Sequence, residues 1–96
     1  MLEIISHGKV REIRLARPPV NALNASMVKR LTQSVAEAAT ECGAVVISGQ
    51  DGLFCAGLDV VELIQLDRDG MQDFWGAFFA LLETIACSPV PVAAAI

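Results

Sequence analysis

Apolar and polar residues alternate at the start of the chain. Leu2–Ile4 and Ile13–Leu15 carry apolar side chains at every second position, and the turn His7-Gly8-Lys9 separates the two segments. Such alternation is typical of strands with one buried face, so it predicts a β-hairpin. Arg17-Pro18-Pro19-Val20-Asn21 ends the second strand, because proline cannot donate a hydrogen bond to a sheet.

The spacing of apolar residues then becomes helical in two long segments. The first predicted helix runs from Ala25 to Thr40, with Asn24 as its N-cap and Gly43 placed to end it. Its apolar stripe consists of Val28, Leu31, Val35 and Ala38. After the predicted loop Asp67-Arg68-Asp69-Gly70, the second helix runs from Met71 to Ala86. Its predicted inner face consists of Phe74, Phe78, Leu81, Leu82 and Ile85.

Continuous apolar runs at Ala44–Ser48 and Val92–Ile96 predict strands that are buried on both faces. A short helix is expected near Asp59, since Asp59 and Glu62 have the spacing of a capping box. Strands that alternate with helices indicate a mostly parallel sheet. We therefore predict an α/β fold in which residues 1–96 form part of one domain.

Composition narrows the classes of function. The chain is 54% hydrophobic and 19% charged with a formal net charge of −4, which argues against disorder and against nucleic-acid binding. So high an apolar share suggests that some surface faces a further segment or a partner subunit. There is neither a signal-peptide pattern nor an apolar run long enough to span a membrane, so we expect a cytoplasmic location. The three scattered cysteines predict no zinc site.

The segment Gly52–Asp59 is a candidate for chemistry because it follows a buried strand and opens a helix. Gly57 permits a sharp bend and a close approach, so free backbone N–H groups beside it can point at an oxygen that gains negative charge. The simpler alternative is a strand–turn–helix junction with a glycine and a capping aspartate. Arg17–Asn24 and Pro89–Ile96 are open to similar alternatives, an ordinary turn with a helix cap and a plain strand of small residues.

Two further hypotheses concern single residue types. Lys9, Arg11, Arg14 and Arg17 cluster in the first part of the chain and are candidates for meeting the phosphates of an anionic ligand, unless they form a solvated strand face. Cys55 lies near a predicted helix N-terminus, which can activate a thiol, and His7 is the only histidine that could act as its base. A buried, inert thiol is the alternative.

Three segments together carry a family resemblance. In order, they are R-P-P-V-N-A-L-N (17–24), F-C-A-G-L-D (54–59) and P-V-P-V-A-A-A-I (89–96). The set resembles the N-terminal part of the crotonase (enoyl-CoA hydratase/isomerase) family over essentially the whole chain. P-P-V-N with A-G-L-D-V is similar to the Δ3,Δ2-enoyl-CoA isomerase branch. The resemblance implies a crotonase-like fold and an enzyme of fatty acid metabolism that acts on acyl-coenzyme A.

The resemblance also implies roles for individual residues. The backbone N–H of Leu58 is the first of two oxyanion-hole donors that stabilise a thioester enolate; proline there would remove the donor and valine would leave it. The implied positions along coenzyme A are Arg17 near its phosphates, Val20 and Ala22 along its channel, Ala56 against its adenine end, and Gly57 and Asp59 in the turn.

In the family, the second oxyanion donor and the acid/base residues follow the strand at Val92–Ile96. We therefore expect the 96 residues alone to be nearly inert. No cofactor is expected beyond the coenzyme A thioester that serves as substrate, and the resemblance implies a homo-oligomer, a trimer or hexamer. The alternative function is a non-catalytic or truncated module that acts in binding or assembly; the enzyme hypothesis fails if the reading frame stops after Ile96.

Overall fold

The computed structural model describes all 96 residues of the chain. Its elements follow the order that the sequence predicts, hairpin, helix, strand, short helix, helix and strand. They are β1 (Leu2–His7), β2 (Val10–Leu15), α1 (Ala25–Glu41), β3 (Ala44–Ser48), α2 (Val60–Leu63), α3 (Arg68–Ala86) and β4 (Val92–Ala95). None of the helices is long and apolar enough to cross a membrane.

The sheet has four strands in the order β1-β2-β3-β4. β1 and β2 pair antiparallel, which confirms the hairpin, and β3 and β4 then add in parallel. Parallel neighbours need a crossover, and α1 and α3 provide one each. The predicted α/β class with a mostly parallel sheet is confirmed.

α1 covers one face of the sheet and creates the core. Asn24 is its N-cap as predicted, since the Asn24 side chain accepts a hydrogen bond from the backbone N–H of Met27. All four residues of the predicted stripe are buried, because the three- and four-residue spacing keeps them on one side of the helix. The core consists of Ile13, Leu15, Met27, Val28, Leu31, Val35, Ala38, Val45, Ile47, Phe74 and Leu81.

The end of α1 and the start of α3 differ from the prediction. Gly43 does not cap α1; the extended residue Cys42 does so, and its backbone N–H bonds to the carbonyl of Ala38. The predicted loop before α3 is wrong as well, because the Asp67 carboxylate accepts from the backbone N–H of Gly70 and starts the helix at Arg68. α3 then packs against α1 through Phe74 and Leu81.

Two expectations about burial are also wrong. Leu82 lies on the exposed side of α3, although Phe78 and Ile85 of the same predicted face are half-buried. β4 was expected to be buried, yet only Val92 is half-buried and the following residues through Ile96 are exposed. β4 is an edge strand, so nothing in these residues covers its outer side.

The face of the sheet that α1 does not cover carries a polar cluster. Ser48 Oγ donates to a carboxylate oxygen of Glu12 at 2.6 Å, and Arg14 Nη2 donates to the same oxygen at 3.1 Å. His7 Nε2 lies 2.8 Å from the other oxygen. The hydrogen bonds from Ser48, His7 and Arg14 lower the pKa of Glu12 to about 2, despite the partial burial that opposes this.

Candidate functional site

Two loops meet beyond the ends of β2 and β3 and form the candidate site. The first, residues 16–24, joins β2 to α1, and the second, residues 49–59, joins β3 to α2. Ligand sites in α/β proteins favour this position, outside the carboxyl ends of the parallel strands. The loops contain all the residues to which the family resemblance assigns a role.

Asn21 holds the two loops together from the inside. Its side chain is fully buried, its Nδ2 donates to the carbonyl of Phe54 at 3.0 Å, and its Oδ1 accepts from the backbone N–H of Arg17 at 2.7 Å. Its backbone carbonyl accepts from the Cys55 thiol at 3.1 Å. Its φ of 56° lies in the left-handed region, which asparagine tolerates better than most residues. One side chain therefore fixes the spacing of both loops.

Backbone hydrogen bonds then join the loops like a short piece of parallel sheet. Ala56 N–H donates to the carbonyl of Val20 at 3.0 Å, and Leu23 N–H donates to the carbonyl of Gly57 at 2.8 Å. Asp59 N–H returns a bond of 2.8 Å to the carbonyl of Leu23, which completes the parallel bridge. The 54–59 segment is thus held at three points along its length.

Leu58 sits between the two bonded groups of that bridge. Successive backbone groups in an extended segment point to opposite sides, so the N–H of Leu58 faces away from Leu23. It has no hydrogen-bond partner in the chain. Gly57, with φ +97°, makes the bend before it, a conformation that other residues rarely adopt. The Leu58 amide is therefore left without a partner, and its role as an oxyanion donor stays a prediction.

Arg17 and Asp59 connect the site to α2. Arg17 Nη1 donates to the Asp59 carboxylate at 2.8 Å and to the carbonyl of Ala22 at 2.7 Å. The hydrogen bond from Arg17, helped by the backbone N–H of Glu62, lowers the pKa of Asp59. Only half of the expected capping box forms: Asp59 caps the Glu62 N–H, while the Glu62 carboxylate turns toward Arg17 Nη2 at 3.6 Å.

A groove of about 330 Å³ opens beside this bridge. Six of the seven predicted positions line it, and Gly57 forms the bend between two of them. The lining residues that were predicted are Arg17, Val20, Ala22, Ala56, Leu58 and Asp59. An apolar cavity of about 260 Å³ touches the same loop through Phe54 and Cys55 and extends toward α3.

A larger groove of about 1,040 Å³ at the ends of β3 and β4 is a weaker candidate. Carboxylates of Glu3, Glu12 and Asp51 line it and outnumber its one cation, Arg14, which is paired with Glu12. Such a surface repels an anionic ligand. In the smaller groove the one carboxylate, Asp59, is paired with the one cation, Arg17, and the other walls are largely apolar.

The structure does not support the basic cluster as a phosphate site. Arg11 pairs with Glu41 at the end of α1, Arg14 pairs with Glu12 on the sheet, and neither arginine lines the groove. The hydrogen bond to Glu41 raises the pKa of Arg11. Only Arg17 lies at the groove. Charged side chains that share a strand need not share a site, because alternate residues face opposite sides.

The Cys55–His7 hypothesis is not supported either. His7 pairs with Glu12 at the Val10 end of the hairpin, whereas Cys55 bonds to Asn21 beyond the opposite end of β2. About five residues of strand, some 17 Å, separate the two ends. The Cys55 sulfur instead accepts from the backbone N–H of Gly57 at 3.3 Å. Cys55 therefore has a packing role in the loop.

No role was predicted for Asn21 or Gly49, although both fix the geometry of the two loops. Gly49 stands where an added Cβ would lie 2.5 Å from the carbonyl oxygen of Phe54, so only glycine fits. The signal for Asn21 is its place after a Pro-Pro pair, where a residue able to take a left-handed conformation closes a turn. Both residues act by contact with Phe54, which the order of residues alone does not reveal.

Comparison with known proteins agrees with this geometry. The family model for enoyl-CoA hydratase/isomerase matches residues 6–96. A probable enoyl-CoA hydratase of Mycobacterium tuberculosis is 35% identical over 99 residues, which cover 100% of this chain and 38% of that protein. A probable enoyl-CoA hydratase of Rhodobacter capsulatus is 36% identical over 97 residues, which cover 96% of this chain and 36% of that protein.

Solved structures share the fold. An enoyl-CoA hydratase/isomerase family protein from Silicibacter pomeroyi matches with a TM-score of 0.89 and 28% identity, covering 100% of this chain and 41% of that one. Human enoyl-CoA hydratase domain-containing protein 3 matches with a TM-score of 0.89 and 25% identity, covering 99% of this chain and 39% of that one. The chain thus spans between 36% and 41% of the length of these relatives.

Proposed function

Because this chain belongs to the enoyl-CoA hydratase/isomerase family, we propose that it binds an acyl-coenzyme A thioester in the groove beside Leu58. The backbone N–H of Leu58 donates to the thioester oxygen as that oxygen gains negative charge. The observation that carries the proposal is this amide, held between two backbone hydrogen bonds and itself without a partner. An amide fixed in advance costs no reorganisation when the charge develops.

The residues that line the groove are compatible with the different parts of an acyl-coenzyme A molecule. Val20, Ala22 and Ala56 line the groove, and we propose that the first two contact the pantetheine arm and that Ala56 contacts the adenine end. We propose that Arg17 contacts the phosphates through Nε and Nη2, because Nη1 makes both short hydrogen bonds and Nη2 lies 3.6 Å from the Glu62 carboxylate. The apolar cavity that Phe54 and Cys55 share is suited to an acyl chain, because it has only hydrophobic lining.

Hydration or isomerisation of an enoyl thioester also requires proton transfer. The only carboxylate that lines the groove is Asp59, which is bonded to Arg17 and whose pKa is lowered. Asp59 is therefore a poor general acid or base at neutral pH. We propose that these residues supply binding and one oxyanion donor, and we expect little turnover from them alone.

Binding of a 3-oxoacyl-coenzyme A tests the proposal, since its enolate presents the charge that the donor would stabilise. Leu58→Pro removes the N–H, and Leu58→Val is the matched control that keeps it. We expect the proline variant to bind the enolate roughly 30-fold more weakly, as for loss of one hydrogen bond to a charged group. Ultraviolet absorbance of the enolate gives the affinity, and circular dichroism checks the fold. Equal binding by both folded variants would contradict the role of Leu58.

A second candidate function is binding or assembly without turnover. Exposed hydrophobic side chains in α2, at its C-cap and on α3, among them Val61, Ile64 and Phe79, favour it. Hydration or isomerisation of an enoyl-coenzyme A by the protein as produced from its gene would contradict this candidate. Acyl-coenzyme A binding without either reaction would support it. The intact mass of the gene product shows whether further residues contribute.

A further inference from the structure

The Leu58 amide is held in place by a second segment, residues 20–23, and not by its own side chain. Leu23 bonds the residue on either side of Leu58, at 2.8 Å in both cases. Val20 bonds the residue two positions before Leu58, at 3.0 Å. The direction of the Leu58 N–H therefore depends on the path of the backbone through residues 20–23.

Asn21 lies between these two bonded residues and sets that path. Its φ of 56° makes a left-handed turn in the backbone. Arg17 holds the turn at two places: the Arg17 N–H donates to Asn21 Oδ1 at 2.7 Å, and the Arg17 carbonyl accepts from the Asn21 N–H at 2.8 Å. Asn21 is fully buried, so water cannot replace these partners when they are lost.

The side-chain amide of Asn21 has one orientation that satisfies its neighbours. The Arg17 N–H is a donor, whereas the Phe54 carbonyl is an acceptor, 3.0 Å from Nδ2. Rotation of the amide by half a turn would place its NH2 against the N–H and its oxygen against the carbonyl. The amide therefore holds the Phe54 backbone at a fixed place beside the turn. The thiol of Cys55 adds a hydrogen bond of 3.1 Å to the Asn21 carbonyl.

We propose that Asn21 is a positioning residue, which sets through the Phe54 carbonyl the direction in which the Leu58 N–H points at the thioester oxygen. The inference rests on the function proposed for that N–H, and it extends the function to a residue that does not line the groove. A misplacement of about 1 Å costs about 100-fold in some enzymes, because stabilisation of a developing charge depends steeply on donor geometry.

The preference for a charged over a neutral thioester oxygen separates positioning from a role in folding alone. In the protein as produced from its gene, a 3-oxoacyl-coenzyme A enolate presents the charged oxygen, and the saturated acyl-coenzyme A of equal length presents the neutral one. Asn21→Gly removes both side-chain hydrogen bonds, keeps the charge unchanged and permits the left-handed φ. We expect its affinity for the enolate to fall about tenfold and its affinity for the saturated thioester to fall less than about twofold.

Val35→Ala is the matched control for lost stability. Val35 is also fully buried, but it lies in α1, away from both loops. Its truncation leaves a cavity in the core and should lower the urea concentration at which half of the protein unfolds. The ratio of the two affinities should stay at the wild-type value, since the loops keep their contacts. A ratio that falls equally in Val35→Ala and Asn21→Gly overturns the inference.

A double variant tests whether Asn21 acts through the Leu58 N–H. In Leu58→Pro the donor is already absent, so adding Asn21→Gly should change the affinity ratio by less than about twofold. Asn21→Asp, which keeps the bond from the Arg17 N–H, takes the place of the glycine variant if that variant does not fold. An unchanged ratio in the single Asn21 variant, or an equal loss in the Leu58→Pro background, overturns this inference alone. A wild-type protein without any preference for the enolate overturns the proposed function and this inference with it.

Discussion

Arg17 donates a hydrogen bond of 2.8 Å to the carboxylate of Asp59, although the two residues are 42 positions apart. The same guanidinium nitrogen also bonds the carbonyl of Ala22. Since Asp59 caps α2, Arg17 links the loop before α1 to the start of α2. The pair therefore sets the width of the groove in which we propose that acyl-coenzyme A binds.

Arg17→Gln should widen or loosen the groove, because glutamine cannot bond Asp59 and Ala22 together as the guanidinium does. We expect acyl-coenzyme A affinity to fall about tenfold, measured by titration calorimetry. Arg14→Gln is the control: it also removes an arginine–carboxylate contact, with Glu12, but on the sheet away from the groove. Equal losses of affinity in both variants would mean that overall charge, not the position of Arg17, governs binding.

Asn21→Ala should be strongly destabilising. It leaves the partly buried carbonyl of Phe54 and the N–H of Arg17 without partners, and it places alanine at a φ of 56°. Together these changes cost roughly 2–4 kcal/mol in the free energy of unfolding. Gln50→Ala is the comparison, since Gln50 also bonds across the loops, to Pro19, but in an exposed position. For Gln50→Ala we expect the free energy of unfolding to fall by less than about 1 kcal/mol. Urea denaturation of both variants measures the difference.

Stability should fall in acid because of Glu12. Its pKa in the folded protein, about 2, is below the ordinary value of 4.5, so the unfolded chain binds protons more readily. The contribution of Glu12 is complete above the ordinary value and is lost as the pH falls toward about 2. Thermal unfolding across this interval should show a shallower pH dependence for Glu12→Gln. The lowered pKa of Asp59 acts in the same direction. The double variant Glu12→Gln with Asp59→Asn should therefore show a still shallower pH dependence of thermal unfolding.

Gly57→Ala should strain the bend before Leu58. A Cβ there has open space, but the φ of +97° disfavours any side chain. We expect a cost of about 1–3 kcal/mol and weaker thioester binding, because relief of the strain turns the Leu58 amide. Gly43→Ala is the matched control, with ordinary contacts of 3.6 and 3.7 Å to Lys9 and no left-handed φ. If Gly57→Ala retains both stability and binding, the bend does not orient the amide.

Periodicity was sufficient to predict the elements, since spacing along the chain decides which side chains share a face. The stripe of α1 and the pairing of the hairpin needed nothing else. The start of α3 was missed because Gly70 suggested a loop, whereas the Asp67 side chain satisfies its N–H and begins the helix. The burial of β4 was overestimated because an apolar run does not say whether a neighbour exists to cover it.

The candidate site was predictable in its parts and not in its assembly. The motifs placed Arg17 and Leu58 in two segments, and the structure brings both to one groove. What the order of residues could not give is the link between them. Asn21 reaches Phe54 across 33 positions, and Gly49 is needed only because the Phe54 backbone passes so close. Such contacts exist only after the chain has folded.

The direction of the backbone alternates along this segment. The Gly57 carbonyl and the Asp59 N–H are therefore bonded to Leu23, and the Leu58 N–H between them points away and has no partner. The side chain at this position has no part in setting that direction. Substitutions at residue 58 can therefore accumulate freely during evolution, provided that they avoid proline and fit the half-buried position. Insertion or deletion of a single residue between Ala56 and Asp59 would instead turn the neighbouring amide outward. At this site, selection should act on the length of the loop more strictly than on its composition.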